Sequence, residues 1–199
     1  KPSIFISASA VSYYGTGSNI NFDENSQPAY KNIFSQALCK TWEDEAIKAE
    51  QYGVRTVLLR IGAVLEKDGG ILSKILPIFR LGIGGMMGNG RQWLSWIDRN
   101  DLLRLILHII NNPSIQGPVN ATAPNPVSYR EFANTLAKTL RKPCFMYIPG
   151  FLLRVAFGKM AQEIILDGQK VFPKKALNSG FLFLYPTLCS SLEKIFNQE

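Results

Sequence analysis

Histidine is almost absent from this chain: His108 is the only one in 199 residues. That excludes His-rich metal centres and leaves little from which to build a Ser-His-Asp nucleophile. Cysteine is scarce as well. Cys39, Cys144 and Cys189 are widely spaced, and no Cys-x-x-Cys pair occurs. Neither a disulfide framework nor a zinc site is indicated, no metal site is expected, and reduced thiols point to a cytoplasmic setting. No apolar run reaches the length that spans a bilayer. The first residues lack the basic start, apolar stretch and small-residue cleavage site of a signal peptide. A glycine-rich phosphate loop is missing too. Gly15-Thr-Gly17-Ser-Asn-Ile20 and Gly82-Ile-Gly84-Gly-Met-Met87 both fail Gly-x-Gly-x-x-Gly at the last position. Acidic residues are outnumbered by basic ones, 15 against 22, which leaves a net charge of +7. The basic residues are scattered, with tight pairs only at Arg141-Lys142 and Lys174-Lys175. That pattern fits a solvated surface better than a nucleic-acid track.

What is present reads as an α/β protein. The apolar fraction of 46% and the length are enough for a real core. Residues 3–9 form a short buried strand that ends in small and hydroxyl residues and a Tyr13-Tyr14-Gly15 turn. Strand ends of this kind are where α/β enzymes keep their chemistry. Residues 16–29 are polar and turn-rich and are predicted as a loop. Residues 30–52 are predicted as a long helix stopped by Gly53. Its apolar face is read from Ile33, Phe34, Ala37, Leu38, Thr41, Trp42, Ala46 and Ala49. Val54 to Leu59 is a second buried strand. Strand, helix and strand together imply a parallel crossover.

Beyond Gly62 the pattern continues with a helix over 71–81 and a flexible glycine-rich connection over 82–90. A short strand runs from Trp93 to Ile97, and Asp98 or Asn100 caps a helix over 101–111. Pro118–Ala121 and Cys144–Ile148 read as strands. Between them Ser128 and Glu131 have the spacing of a capping box for a helix ending at Leu140. Helical stretches are expected near 150–157, 159–167 and 187–197. The division predicted is 1–70, 71–148 and a small helical unit over 149–199.

Together these stretches resemble the extended short-chain dehydrogenase/reductase superfamily, which holds nicotinamide-dependent epimerases and dehydratases. More narrowly the chain is similar to the epimerase-like branch that ends in a small C-terminal domain of unknown function. The resemblance is carried by Ser-Ala-Ser-Ala-Val-Ser-Tyr-Tyr-Gly (7–15), Cys-Lys-Thr-Trp-Glu (39–43) and Leu-Leu-Arg-Ile-Gly-Ala-Val-Leu (58–65). It continues through Leu-Pro-Ile-Phe-Arg-Leu-Gly (76–82), Gly-Arg-Gln-Trp-Leu-Ser-Trp-Ile (90–97), Pro-Val-Asn-Ala-Thr-Ala-Pro (118–124) and Gln-Lys-Val-Phe-Pro-Lys-Lys (169–175). The resemblance implies the C-terminal part of a Rossmann-type parallel sheet with a mixed α/β substrate-side region. The expectation is a C-terminal fragment, inactive and free of cofactor when alone, of an NADP(H)-dependent oxidoreductase.

The resemblance also implies a site. Ser9 matches the hydroxyl that holds a substrate carbonyl, although a strand-end serine can equally satisfy backbone. Ser7, Arg60, Gly62 and Val64 match the cofactor wall. Arg91, Trp93 and Trp96 match the substrate side, where an arginine beside aromatics suits an anionic planar ligand; core packing is the alternative for the tryptophans. The tyrosine and lysine that the family places one helical turn apart are replaced by Ser35 and Cys39. Lys40 lies about 100° around the helix and is no substitute. Tyr13 and Tyr14 are the stand-in proton donors, or else residues that shape the turn. Leu94 stands where sugar-nucleotide enzymes place an arginine. His108 is expected at the surface. The implied partners are a small carbonyl or sugar-like substrate and a second copy of the chain, with no nucleic acid and no membrane.

Overall fold

The computed structural model describes residues 1–29, 34–151 and 168–196. Its centre is a parallel sheet of β1 (Ile4–Ala10), β3 (Arg55–Ile61) and β8 (Gly117–Ala121), in the order β1-β3-β8. Ile4 sits opposite Arg55 and Ala10 opposite Ile61, so both strands end at one edge. The same edge receives Ala121 of β8 beside Ile61. The helix α1 (Phe34–Ile47) joins β1 to β3, followed by a turn of 3-10 helix that stops at Gly53. Two adjacent parallel strands bridged by a helix are the expected crossover. The architecture is the α/β, Rossmann-type arrangement that the sequence predicts.

The buried face of α1 differs from the predicted one. Cys39, Glu43 and Ala46 face the sheet. Phe34 is 74% exposed and Trp42 51% exposed. Hydrophobic periodicity misled because the inward face carries a carboxylate, whose burial depends on a partner from another strand.

A second departure lies in residues 16–29. Gly17–Phe22 is a strand, β2, paired in parallel with β11 (Gln169–Val171) from far along the chain. The partner is not local, so turn composition alone hid it. The glycine-rich stretch 82–90 is ordered in the same way: β5 (Gly85–Met87) pairs in parallel with β10 (Met146–Ile148). The single strand predicted over Trp93–Ile97 is split at Ser95. β6 (Trp93–Leu94) pairs with β9 (Val127–Ser128), and β7 (Trp96–Asp98) pairs with β4 (Ala63–Glu66).

The remaining helices follow their start signals. The helix α2 (Gly70–Arg80) is amphipathic and buries Leu72, Ile75, Leu76 and Phe79. The Asp98 side chain accepts from the Asn100 amide and caps α3 (Arg99–Asn111). Ser128 accepts from the Glu131 amide and caps α4 (Tyr129–Thr139). Two short helices, α5 (Lys174–Asn178) and α6 (Leu188–Phe196), complete the set. The helices expected over 150–157 and 159–167 lie largely outside the described residues. Among the described residues no helix is long and apolar enough to cross a membrane.

Two cores result. One lies between the sheet and α3 and includes Val57, Leu59, Leu105, Ile109 and Val119. The other joins α2, α4 and α6 around Trp96, Phe79, Phe132 and Leu192. Arg55, at the start of β3, closes the far end of α3. Its guanidinium donates to the carbonyls of Ile109, Ile110, Asn112 and Ile115 at 2.7–3.2 Å, satisfying carbonyls that a helix end leaves open. The near end of α3 is fixed to the C-terminal segment. Asp101 accepts from the amides of Leu184 and Tyr185, both at 2.9 Å.

Candidate active site

The site forms where β1 and β3 end together. Ser9 is the last buried residue of β1, and Arg60 is its register partner on β3. An arginine inside Leu58-Leu59-Arg60-Ile61 cannot stay buried without a counter-charge. α1 supplies it. Arg60 Nε donates to Glu43 Oε1 at 2.9 Å, and Nη2 donates to Glu43 Oε2 at 2.7 Å. Both side chains are almost fully buried. The fork-to-fork geometry is the strong form of this pair.

The network extends in both directions. Ser9 Oγ donates to Glu43 Oε1 at 2.7 Å. Arg60 Nη1 donates to the Tyr14 hydroxyl at 3.0 Å, and that hydroxyl donates to Asn120 Oδ1 at 2.8 Å. The backbone N–H of Asn120 in turn donates to the buried carboxylate of Glu24 at 3.0 Å. Glu24 also accepts from the Lys175 amide. Burial pushes the Glu24 carboxyl above its ordinary value, and the backbone amides that bind it work the other way. Tyr13 lies across the guanidinium, with its ring centroid 3.5 Å from Arg60 Cζ.

The geometry shows where each expected site residue lies and which partners it meets. Ser9 gives its only proton to Glu43, so toward a substrate it accepts rather than donates. Tyr14 is fully buried, and burial pushes its hydroxyl up to about 12, although the Arg60 charge works the other way. Its one proton is directed at Asn120 Oδ1, so Tyr14 bridges Arg60 and Asn120. Tyr13 is half-buried and keeps contact with the exterior. Arg60 is spent on Glu43 and the two tyrosines rather than left for a cofactor. Gly62 is needed for a close approach within the protein: a Cβ there would lie 2.5 Å from the Ser95 carbonyl oxygen. Trp96 is completely buried and donates its indole N–H to the Asn125 carbonyl at 3.0 Å, so it belongs to the core. Arg91 is exposed in the turn before β6, while Trp93 is half-buried.

Ser7 and Val64 are half-buried, on β1 and β4. Cys39, in the place of the usual lysine, is buried behind Ser9, and burial pushes its thiol up. His108 is not simply a surface residue: its Nε2 lies 3.0 Å from Ser179 Oγ and its ring lies against Phe181. Sequence reasoning missed Glu43, Asn120 and Glu24. The available signal for Glu43 was Arg60, a lone charge inside an apolar strand.

The raised Tyr14 hydroxyl has a consequence at alkaline pH. Between about 10 and about 12 the folded state retains a proton that the unfolded chain has lost. The stability this contributes is complete below pH 10 and disappears as the pH rises toward about 12. Stability measured against pH should therefore fall through this window, and Tyr14→Phe should flatten the fall. An unchanged alkaline slope in Tyr14→Phe would contradict the assignment.

Three comparisons bear on this geometry. Residues 148–195 match a family described as "Domain of unknown function (DUF1731)". The chain is 43% identical over 195 residues to "Epimerase family protein SDR39U1 homolog, chloroplastic" of Arabidopsis thaliana, covering 98% of this chain and 55% of the relative. The crystal structure of human epimerase family protein SDR39U1 (isoform 2) with NADPH superposes with a TM-score of 0.90 at 30% identity, covering all of this chain and 66% of the human one. A nucleoside-diphosphate sugar epimerase from Corynebacterium glutamicum follows, with a TM-score of 0.80 at 28% identity, covering 99% of this chain and 38% of that one.

The parallel sheet and these relatives place the fold among the extended short-chain dehydrogenase/reductase proteins. The chain belongs to their epimerase-family branch, which carries the C-terminal domain of unknown function. It spans only part of the length of those relatives: 55% of the plant protein, 66% of the human chain and 38% of the Corynebacterium chain.

Proposed function

We propose that the chain is the substrate-side part of an NADP(H)-dependent epimerase-like oxidoreductase acting on a small carbonyl or sugar-like compound. The observation that carries the reading is the strand end at Ser9, on a fold that superposes with TM-score 0.90 on a human relative solved with NADPH. The residues fit one end of such a cofactor. Ser7 and the exposed Ala8 lie where β1 approaches its C-terminal end, and Val64 lies just beyond β3. Small residues there leave space for a flat ring, whereas no described segment supplies a glycine-rich turn for a pyrophosphate.

When bound, the nicotinamide supplies or accepts a hydride. The chain's own residues do the rest. Glu43 and Arg60 fix Ser9 as a hydrogen-bond acceptor, which orients a substrate hydroxyl. Tyr13, half-buried and braced under Arg60, is the residue left to exchange a proton with that substrate. Residues 149–199 form the C-terminal domain in this reading. Among the described residues β1 is an outer strand of the sheet, beside the exposed Phe5; self-association through that edge is part of the proposal.

A second reading is favoured by one observation. Ser9 and Tyr14 are both committed inside the buried network, which suits a protein that binds cofactor without turnover. A carbonyl panel assayed with NADPH and the complete gene product separates the two. The first reading expects turnover that falls at least about tenfold in Tyr13→Phe. Cofactor binding with no turnover across the panel would overturn it in favour of a cofactor-binding sensor.

A further inference from the structure

The substrate side needs a cation if its ligand is anionic, and Arg91 is exposed in the turn before β6. The cation that the fold brings to Trp93 is Lys170. Its Nζ lies 4.3 Å from the Trp93 ring centroid and 5.7 Å from that of Phe172. The strand that carries it is fixed in place. Ser95 Oγ donates to the Gln169 carbonyl at 2.7 Å and accepts from the Val171 amide at 3.0 Å. Gly168 passes so close to Trp93 that a Cβ would overlap the Trp93 carbonyl oxygen.

Lys170 differs from its charged neighbours. Lys174 pairs with Asp23 and Lys194 with Asp98, whereas Lys170 meets no carboxylate among the described residues. Aromatic faces hold an ammonium group without using its three N–H donors, which stay free for an acceptor. The next residue, Val171, packs on the other side of the strand against Tyr14 and Phe22. β11 therefore ties Lys170 to the network that fixes Ser9.

We propose that Lys170 is the anion-recognising residue of the substrate side, with Trp93 as the apolar surface beneath the ligand. The ligand class is a small molecule that carries a phosphate or carboxylate on a planar or ring-shaped body. This rests on the reading that the strand end at Ser9 is the reaction centre.

Phenyl phosphate and benzoate test it. Each is titrated into the complete gene product in the presence of NADPH and followed by tryptophan fluorescence, and NADPH affinity is measured separately. At least one of the two probes binds, and the stronger one identifies the anionic group. Lys170→Met weakens it about tenfold or more, Lys170→Arg retains most of the binding, and NADPH affinity is unchanged in both. Equal probe affinity in wild type and Lys170→Met, or no binding of either probe, overturns the proposal. If Lys170→Met fails to fold, Lys170→Gln replaces it. Failure of NADPH to bind while the Lys170 dependence persists removes the functional reading and leaves the anion site standing.

Discussion

Glu43→Ala should destabilise the fold by about 3–5 kcal/mol, the range for removing one partner of a buried ion pair. Arg60 stays charged at any pH at which the protein folds. Without Glu43 its guanidinium keeps, among the described residues, the Tyr14 hydroxyl and the rings of Tyr13 and Tyr14, and no counter-charge. Ser9 loses the acceptor of its proton at the same time. Against a typical total of about 5–15 kcal/mol, such a loss is a large share of the stability. Removing both charges is a different matter. Glu43→Leu combined with Arg60→Met leaves no orphan, and buried pairs replaced by apolar residues are often neutral. Urea unfolding of the single and double variants therefore gives strong coupling. A Glu43→Ala cost below about 1 kcal/mol, the size of an exposed pair, would contradict burial of the bridge.

Asp98→Ala should cost about 3 kcal/mol and should loosen the C-terminal helix first. Asp98 is fully buried at the start of α3 and serves two elements. Its carboxylate caps α3 through the Asn100 amide at 2.8 Å. It also accepts from Ser191 Oγ at 2.7 Å and from Lys194 Nζ at 3.2 Å, both on α6. Alanine removes the cap and leaves the mostly buried Lys194 ammonium unpaired. Asp98→Asn keeps the cap and loses the charge, so it isolates the contribution from α6. Hydrogen exchange should show protection lost over 188–196 in both variants, with α3 frayed only in Asp98→Ala. Uniform protection in Asp98→Ala would show that Asp98 does not hold the two elements together.

Elements whose signals are local were legible in the sequence. Ser128 with Glu131, and either Asp98 or Asn100, marked helix starts that the structure places within a residue or two, with Asp98 the cap. The strands at Ile4 and Arg55 were legible because buried parallel strands are short apolar runs. Elements whose partners lie far away were not. Residues 17–22 become a strand because 169–171 lie beside them, and 85–87 because 146–148 do. Turn-rich composition carries no trace of such pairing.

The site was half legible. Ser9, Tyr13, Tyr14 and Arg60 do converge, as the resemblance implied. What the sequence did not show is where each proton and charge is spent. Tyr14 looked like a donor and is a buried bridge; Arg60 looked available and is paired with Glu43. Trp96 was indistinguishable from Trp93 in sequence, since both lie in the one apolar run Trp93-Leu94-Ser95-Trp96-Ile97. The break at Ser95 sends one indole into the core and leaves the other beside Lys170.

The central claim is that this fold serves a nicotinamide cofactor at the strand end of Ser9. Calorimetric titration of NADPH into the complete gene product tests it most directly, with Val64→Trp as the control that fills the proposed cofactor wall. The account predicts saturable one-to-one binding that Val64→Trp weakens at least about tenfold. Binding that is absent in the wild type, or equally tight in Val64→Trp, would contradict it.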